Sequence, residues 1–449
     1  MRFGTGPGGV RRWFGMTEMA VSPAVATERA RRAPRSFDGA VLLSGATVAS
    51  GILAYAYHVL AARVLGPEAY GLVAVLWAAL FLLVVVLFRP LEQTTSRALA
   101  DRLARGQEVR SVLRAMLRLY LVLALAIGVA GALGWGLIGD RLFLGDSFYT
   151  GAFVVGLAAY GVAYVARGVF AGAGWFNGYA LLLVSDGAVR VAVVVPLLVV
   201  ASRDLAAAAM VAAAAGSVVL PVLVGRRVLG PLVARGQGSP FHVGAAVAFA
   251  WPAAVIAIAD QVLVNGGPLL VMLGGGANVG KIAGLVFAAT MLVRIPVFVF
   301  QGLATSMLPN LTRLHATAER ARFRRAVWRA AGGLAGVAAV IVVTAAAIGP
   351  AALQAVYGSE YTAGRLELAL LGVGVGCYLA TSTFSQALLA LDCGRIAALG
   401  WIASAVVFLG VYAVVPGEAL FRVSTAFAVG TAAAVPLLGL ALTRRGRQG

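Results

Sequence analysis

The sequence predicts an all-α polytopic membrane protein of about twelve transmembrane helices, and three observations predict it. Of 449 residues, 61% are hydrophobic and only 12% are charged, more apolar material than a single soluble core encloses. Apolar runs of about 20 residues recur along the whole chain, each long enough to cross roughly 30 Å of hydrocarbon as a helix. These runs are rich in Ala, Val, Leu and Gly and lack the short alternating pattern of a barrel strand, so each must satisfy its backbone polar groups within itself.

The predicted spans are 40–63, 69–88, 119–139, 149–170, 178–200, 205–224, 243–273, 281–305, 328–349, 364–391, 396–415 and 418–442. The seventh is too long for a straight crossing, and Pro252 and Gly266-Gly267-Pro268 offer it places to bend or break. Residues 1–38 are polar and Arg-rich and read as a disordered cytoplasmic tail. An N-terminal lobe follows at 39–225, a cytoplasmic linker at 226–242, a C-terminal lobe at 243–443 and a short cytoplasmic tail at 444–449.

The net charge of +19 excludes little until it is located. A nucleic-acid reading needs a basic face on a soluble module, and the chain offers none, so no nucleic-acid partner is expected. With the N-terminus inside, most of the 36 basic residues fall in cytoplasmic segments, and only Arg63, Arg141, Arg203, Lys281, Arg365 and Arg422 fall outside. That bias predicts a multi-pass protein of the inner (plasma) membrane with both termini cytoplasmic. Segments 89–118 and 306–328 carry Arg at helical spacing between apolar residues. They read either as amphipathic helices on the inner leaflet, recruiting anionic lipid or a partner enzyme, or as charged faces that fix topology.

Catalytic constellations are missing from the sequence. There is no phosphate-cradling Gly-Lys motif and no Ser–His–Asp set; three histidines and two cysteines, Cys377 and Cys393, show no metal-ligand spacing. Neither an enzyme nor a bound cofactor or metal is expected; coupling, if any, would draw on a proton or sodium gradient.

An internal repeat sets Gly66-Pro67-Glu68-Ala69-Tyr70-Gly71, before the second span, against Gly275-Gly276-Ala277-Asn278-Val279-Gly280, before the eighth. Both halves then begin with a helix rising from the cytoplasm, which predicts parallel six-helix halves related by an axis along the membrane normal.

The stretch Leu60-Ala61-Ala62-Arg63-Val64-Leu65-Gly66-Pro67-Glu68-Ala69-Tyr70-Gly71 resembles the opening signature of the polysaccharide flippases, within the superfamily of multidrug, oligosaccharidyl-lipid and polysaccharide exporters. Arg294-Ile295-Pro296, Leu308-Pro309 and Tyr357-Gly358-Ser359-Glu360-Tyr361 extend the likeness across roughly 40–443. The chain departs from the pattern at Lys281-Ile282, where many relatives carry an aromatic. The resemblance implies two lobes around a central cavity lined by helices 1, 2, 7 and 8, alternating access, and a polyprenyl-linked oligosaccharide carried from the cytoplasmic to the outer leaflet. It also implies membrane lipids as surroundings and glycosyltransferases or a polymerase of an envelope pathway as partners. Two other readings stand beside it: a cation-coupled exporter of drugs or small amphiphiles, and a non-transporting scaffold for envelope-synthesis enzymes.

Polar groups at membrane depth mark the candidate site, because each costs a few kcal/mol there unless it finds a partner, water or a ligand. Asp260 and Arg294 fall mid-span on neighbouring helices, either as a cavity pair for a diphosphate and a coupling cation or as a structural ion pair. His58 is a proton-coupling candidate or a packed histidine. Arg63 and Arg89 cap helices 1 and 2 and either snorkel to headgroups or face the cavity. Glu92 and Gln93 are candidates for a cytoplasmic entrance. Gln301, Ser382, Thr383, Ser385 and Gln386 hydrogen-bond either cargo or neighbouring helices. Asp186 and Arg190, four apart, are expected to neutralise each other on one helix.

Overall fold

A computed structural model describes residues 36–226, 229–230, 243–297, 320–391 and 393–448. Most of the predicted N-terminal tail and linker, part of the second Arg-rich connection and Gln301 lie outside the described residues.

Among the described residues every regular element is helical. Helices α1 (36–65) and α2 (67–104) form one run, Ser36–Ala104, interrupted at Gly66, whose φ of 72° is a conformation that costs glycine nothing. Pro67 opens α2, where its missing N–H would have had no helical partner. The bundle continues with α3 (Arg110–Leu133), α4 (Ser147–Gly172), α5 (Phe176–Val194), α6 (Arg203–Val224), α7 (Val243–Gly274) and α8 (Val279–Val293). It closes with α9 (Arg320–Tyr357), α10 (Arg365–Ala390), α11 (Gly394–Val414) and α12 (Ala419–Gln448). Among the described residues ten helices are long and apolar enough to cross a membrane, counting α1 and α2 together; the shorter apolar α8 completes a twelve-helix architecture.

One expectation needs correction, and one is narrowed. The third span starts at Arg110, nine residues before the apolar run, and ends at Leu133, with a separate short helix at Trp135–Leu142. Arginine is a good helix former, so the charged residues 110–118 extend the membrane helix instead of forming a separate surface helix. Of the bend or break open to the seventh helix at Pro252 and Gly266-Gly267-Pro268, no break occurs, since Val243–Gly274 is one helix.

The halves meet where α1 and α2 pack against α7 and α8, around a core that runs through both. At the end carrying the α1–α2 turn the contact is backbone on backbone. A Cβ on Gly71 would fall 1.9 Å from the Gly280 carbonyl oxygen, and one on Gly284 would fall 2.6 Å from that of Pro67. The two glycines matched by the sequence repeat therefore touch each other. Equivalent residues meet in this way only beside the axis that relates them.

Around this contact the end is sealed. Arg63 Nε donates to the Val356 carbonyl at 2.7 Å and its Nη2 to that of Ala355, so a cation caps the last turn of α9. Tyr361 Oη donates to the Ala62 carbonyl at 3.2 Å. Arg63 thus joins α1 to the opposite half and does not simply snorkel.

Candidate functional site

Deeper between the halves, packing gives way to polar groups. Asp260 sits mid-way along α7; its Oδ1 accepts from Tyr378 Oη of α10 at 2.6 Å and its Oδ2 from Gln261 Nε2 at 2.9 Å. Asn265 Nδ2 donates to Gln261 Oε1 at 2.7 Å, one turn further along. The carboxylate is thereby fixed in direction and remains partly accessible.

Arg294 explains why α7 does not break. Pro268 has no N–H to offer the Val264 carbonyl four residues earlier. Arg294 Nη1, at the end of α8, donates to that carbonyl at 2.9 Å and repairs the ladder from the neighbouring helix. A guanidinium carries five N–H donors, so one bond spent on the backbone leaves most of the group available. Among the described residues no ion pair joins Arg294 to Asp260, although each lies in the other's field. Of the two arrangements expected for this couple, the structural ion pair is not formed, and the two charges are anchored separately.

The facing wall comes from the first half. Arg89, on α2, is exposed and within electrostatic range of both Glu92 and Asp260. Glu92 Oε1 accepts from Tyr179 Oη of α5 at 2.7 Å. Arg167 of α4 lies over the Tyr164 ring at 4.6 Å, and its buried Nε has no hydrogen-bond partner among the described residues. Three arginines, two carboxylates and three tyrosines from six helices therefore converge. The carboxylates are held by neutral donors, and no ion pair engages Arg89, Arg167 or Arg294 among the described residues. Such a wall presents guanidinium groups to an anion.

Sequence reasoning missed Arg167, Tyr164, Tyr179 and Tyr378. Arg167 ends a span, where loop charge is expected, but a tyrosine at membrane depth was a usable signal, since its hydroxyl requires a partner. Other candidates lie elsewhere. His58 is fully buried towards the sealed end, with Nδ1 3.1 Å from Tyr70 Oη, and is ringed by Tyr57, Trp77 and Phe287. Ser385 accepts from Trp401 Nε1 at 2.7 Å and so joins α10 to α11, whereas Thr383 donates to the Leu379 carbonyl of its own helix at 2.9 Å.

Asp186 and Arg190 form the expected local pair inside the first half. Arg190 Nη2 stands 2.6 Å from Asp186 Oδ2 and donates to Tyr160 Oη at 2.7 Å, and the guanidinium covers the Trp77 ring at 4.8 Å. Arg190 is only 1% exposed, so no cargo reaches it in this structure.

No family model matches the chain. It is 28% identical over 411 residues to "Uncharacterized protein Rv3630" of Mycobacterium tuberculosis (strain ATCC 25618 / H37Rv), covering 86% of this chain and 91% of that one. It is 27% identical over 374 residues to "Uncharacterized protein Rv1510" of the same strain, covering 82% and 83%. An inward-facing multidrug resistance MATE family transporter of the MOP superfamily superposes with a TM-score of 0.72 at 17% identity, over 89% of this chain and 95% of that one. An outward-facing form gives 0.64 at 17% identity, over 91% and 96%. By fold, then, the chain has the twelve-helix architecture of the MATE transporters.

Proposed function

We propose that this protein moves an amphiphile with an anionic head across the bilayer by alternating access between two six-helix lobes, 39–225 and 243–443. The cargo that fits best is a polyprenyl-linked oligosaccharide or a related envelope precursor, taken from the cytoplasmic to the outer leaflet. The observation that carries this reading is that Arg89, Arg167 and Arg294 form no ion pair among the described residues, while the carboxylates in their electrostatic surroundings, Glu92 and Asp260, are already held by Tyr179, Tyr378 and Gln261. A diphosphate head supplies the charge these guanidinium groups lack and suits their planar, bidentate geometry. In this reading both termini are cytoplasmic, so the contact of Gly71 with Gly280 faces outward and the arginines face the cytoplasmic side.

Asp260 favours a second reading, a cation-coupled exporter of small amphiphiles, because a partly accessible carboxylate at mid-membrane suits a coupling proton or sodium ion. Native mass spectrometry of gently extracted protein tests both. Co-purifying polyprenyl-linked saccharide, lost in Arg294→Ala, is the expected result. A protein that carries no such lipid, and whose drug export follows an imposed ion gradient until Asp260→Asn abolishes it, overturns the first reading for the second.

A further inference from the structure

Among the described membrane spans α3 and α9, the third helix of each half, are little enclosed by the rest of the bundle, and both begin with arginine. On α3, Arg110, Arg114 and Arg118 are all exposed and recur every four residues. Successive turns of a helix place such residues in one stripe. At 100° per residue the stripe continues on the same face into Leu117, Leu121 and Leu125, which are 51%, 54% and 70% exposed. None of the 24 residues of α3 is acidic, and these three arginines form no ion pair among the described residues.

The second half repeats the pattern. Arg322, Arg325 and Arg329 are exposed on α9, and their face runs on through Gly333 and Gly336 to Val340 and Val343, 65% and 66% exposed. The two glycines leave bare backbone below the arginines, since a Cβ on either would meet nothing within 4 Å. No residue of α9 is acidic, and Trp328, 47% exposed, stands level with the arginines as an interfacial aromatic does.

Like charges one turn apart weaken a helix by a few tenths of a kcal/mol per pair, and setting topology requires basic residues only in the connections. Alignment of the charges with a bare apolar stripe on the same face is more than topology needs. It matches a molecule with an anionic head and a hydrocarbon tail lying along the helix.

We propose that the outward faces of α3 and α9 are two seats for anionic phospholipid, with the phosphate over the arginines and an acyl chain along Leu117, Leu121 and Leu125 or over Gly333, Gly336 and Val340. These seats lie on the periphery of the bundle and are independent of the cargo site between the halves. A soluble acidic protein would satisfy the arginines and leave the apolar half of each stripe unused.

Native mass spectrometry of the full chain in detergent, titrated with phosphatidylglycerol and with phosphatidylcholine of the same acyl chains, tests this. The expected result is preferential retention of phosphatidylglycerol. In the triple variant Arg110→Gln, Arg114→Gln, Arg118→Gln that preference falls roughly fivefold per arginine at the α3 seat. The triple Arg→Lys variant retains it, and Arg325→Gln with Arg329→Gln weakens the remaining seat. If the triple Gln variant fails to insert, the single Arg114→Gln change is read in the same titration. Equal retention of the two lipids by the unsubstituted protein overturns the proposal, as does an undiminished preference in the Gln variants.

Discussion

Two of the aspartate–arginine couples in this bundle have opposite fates. Asp186 and Arg190, on one helix and four residues apart, close on each other at 2.6 Å within the first half and are shielded by Tyr160 and Trp77. Asp260 and Arg294, on two helices, take neutral partners instead, a tyrosine and a glutamine for the carboxylate and a backbone carbonyl for the guanidinium. Charges four apart on one helix find each other through local geometry alone. Charges on separate helices can be kept apart by their surroundings, and only separated charges can answer a ligand.

The largest expected effect comes from breaking the closed couple. Arg190→Ala strands Asp186 in the interior and is expected to cost about 3–5 kcal/mol, seen as a fall in thermal unfolding temperature in detergent. The double change Asp186→Leu with Arg190→Met is expected to recover most of that loss, because two uncharged residues need no partner. In the open couple, Arg294→Gln leaves the Val264 carbonyl with a weaker donor and is expected to lower stability by about 1 kcal/mol, with export lost in a complementation assay. Tyr378→Phe removes one hydrogen bond from Asp260 and is expected to cost about 1 kcal/mol or less, since an accessible carboxylate takes water in exchange. If Arg190→Ala proved as mild as Tyr378→Phe, the contrast between closed and open couples would fail.

Much of the fold was legible because it rests on local rules. The Gly66-Pro67 turn, the apolar runs and the Asp186–Arg190 spacing each read directly from neighbouring residues. What stayed hidden depends on partners remote in sequence. Pro268 argues for a broken helix until Arg294 is seen to supply the missing donor from thirty residues away. The start of α3 was misplaced because hydropathy locates a span by its apolar run, whereas the helix begins with its arginines. Arg63 looked like a snorkelling cation, and its true acceptors are the carbonyls of Ala355 and Val356. Arg167 and Tyr378 gain meaning only once α4 and α10 are placed opposite Arg89 and Asp260.

The meeting of Gly71 with Gly280 bears on how easily the two halves part. Interlocked side chains must leave their rotamer wells and repack when an interface opens, and that rearrangement slows separation and ties it to the shapes of particular residues. Two strips of naked backbone have no teeth to disengage. The tightest place in this interface is therefore also its smoothest, and a single methyl group added at Gly71 would act as a wedge driven in at the point where both halves bear on one another.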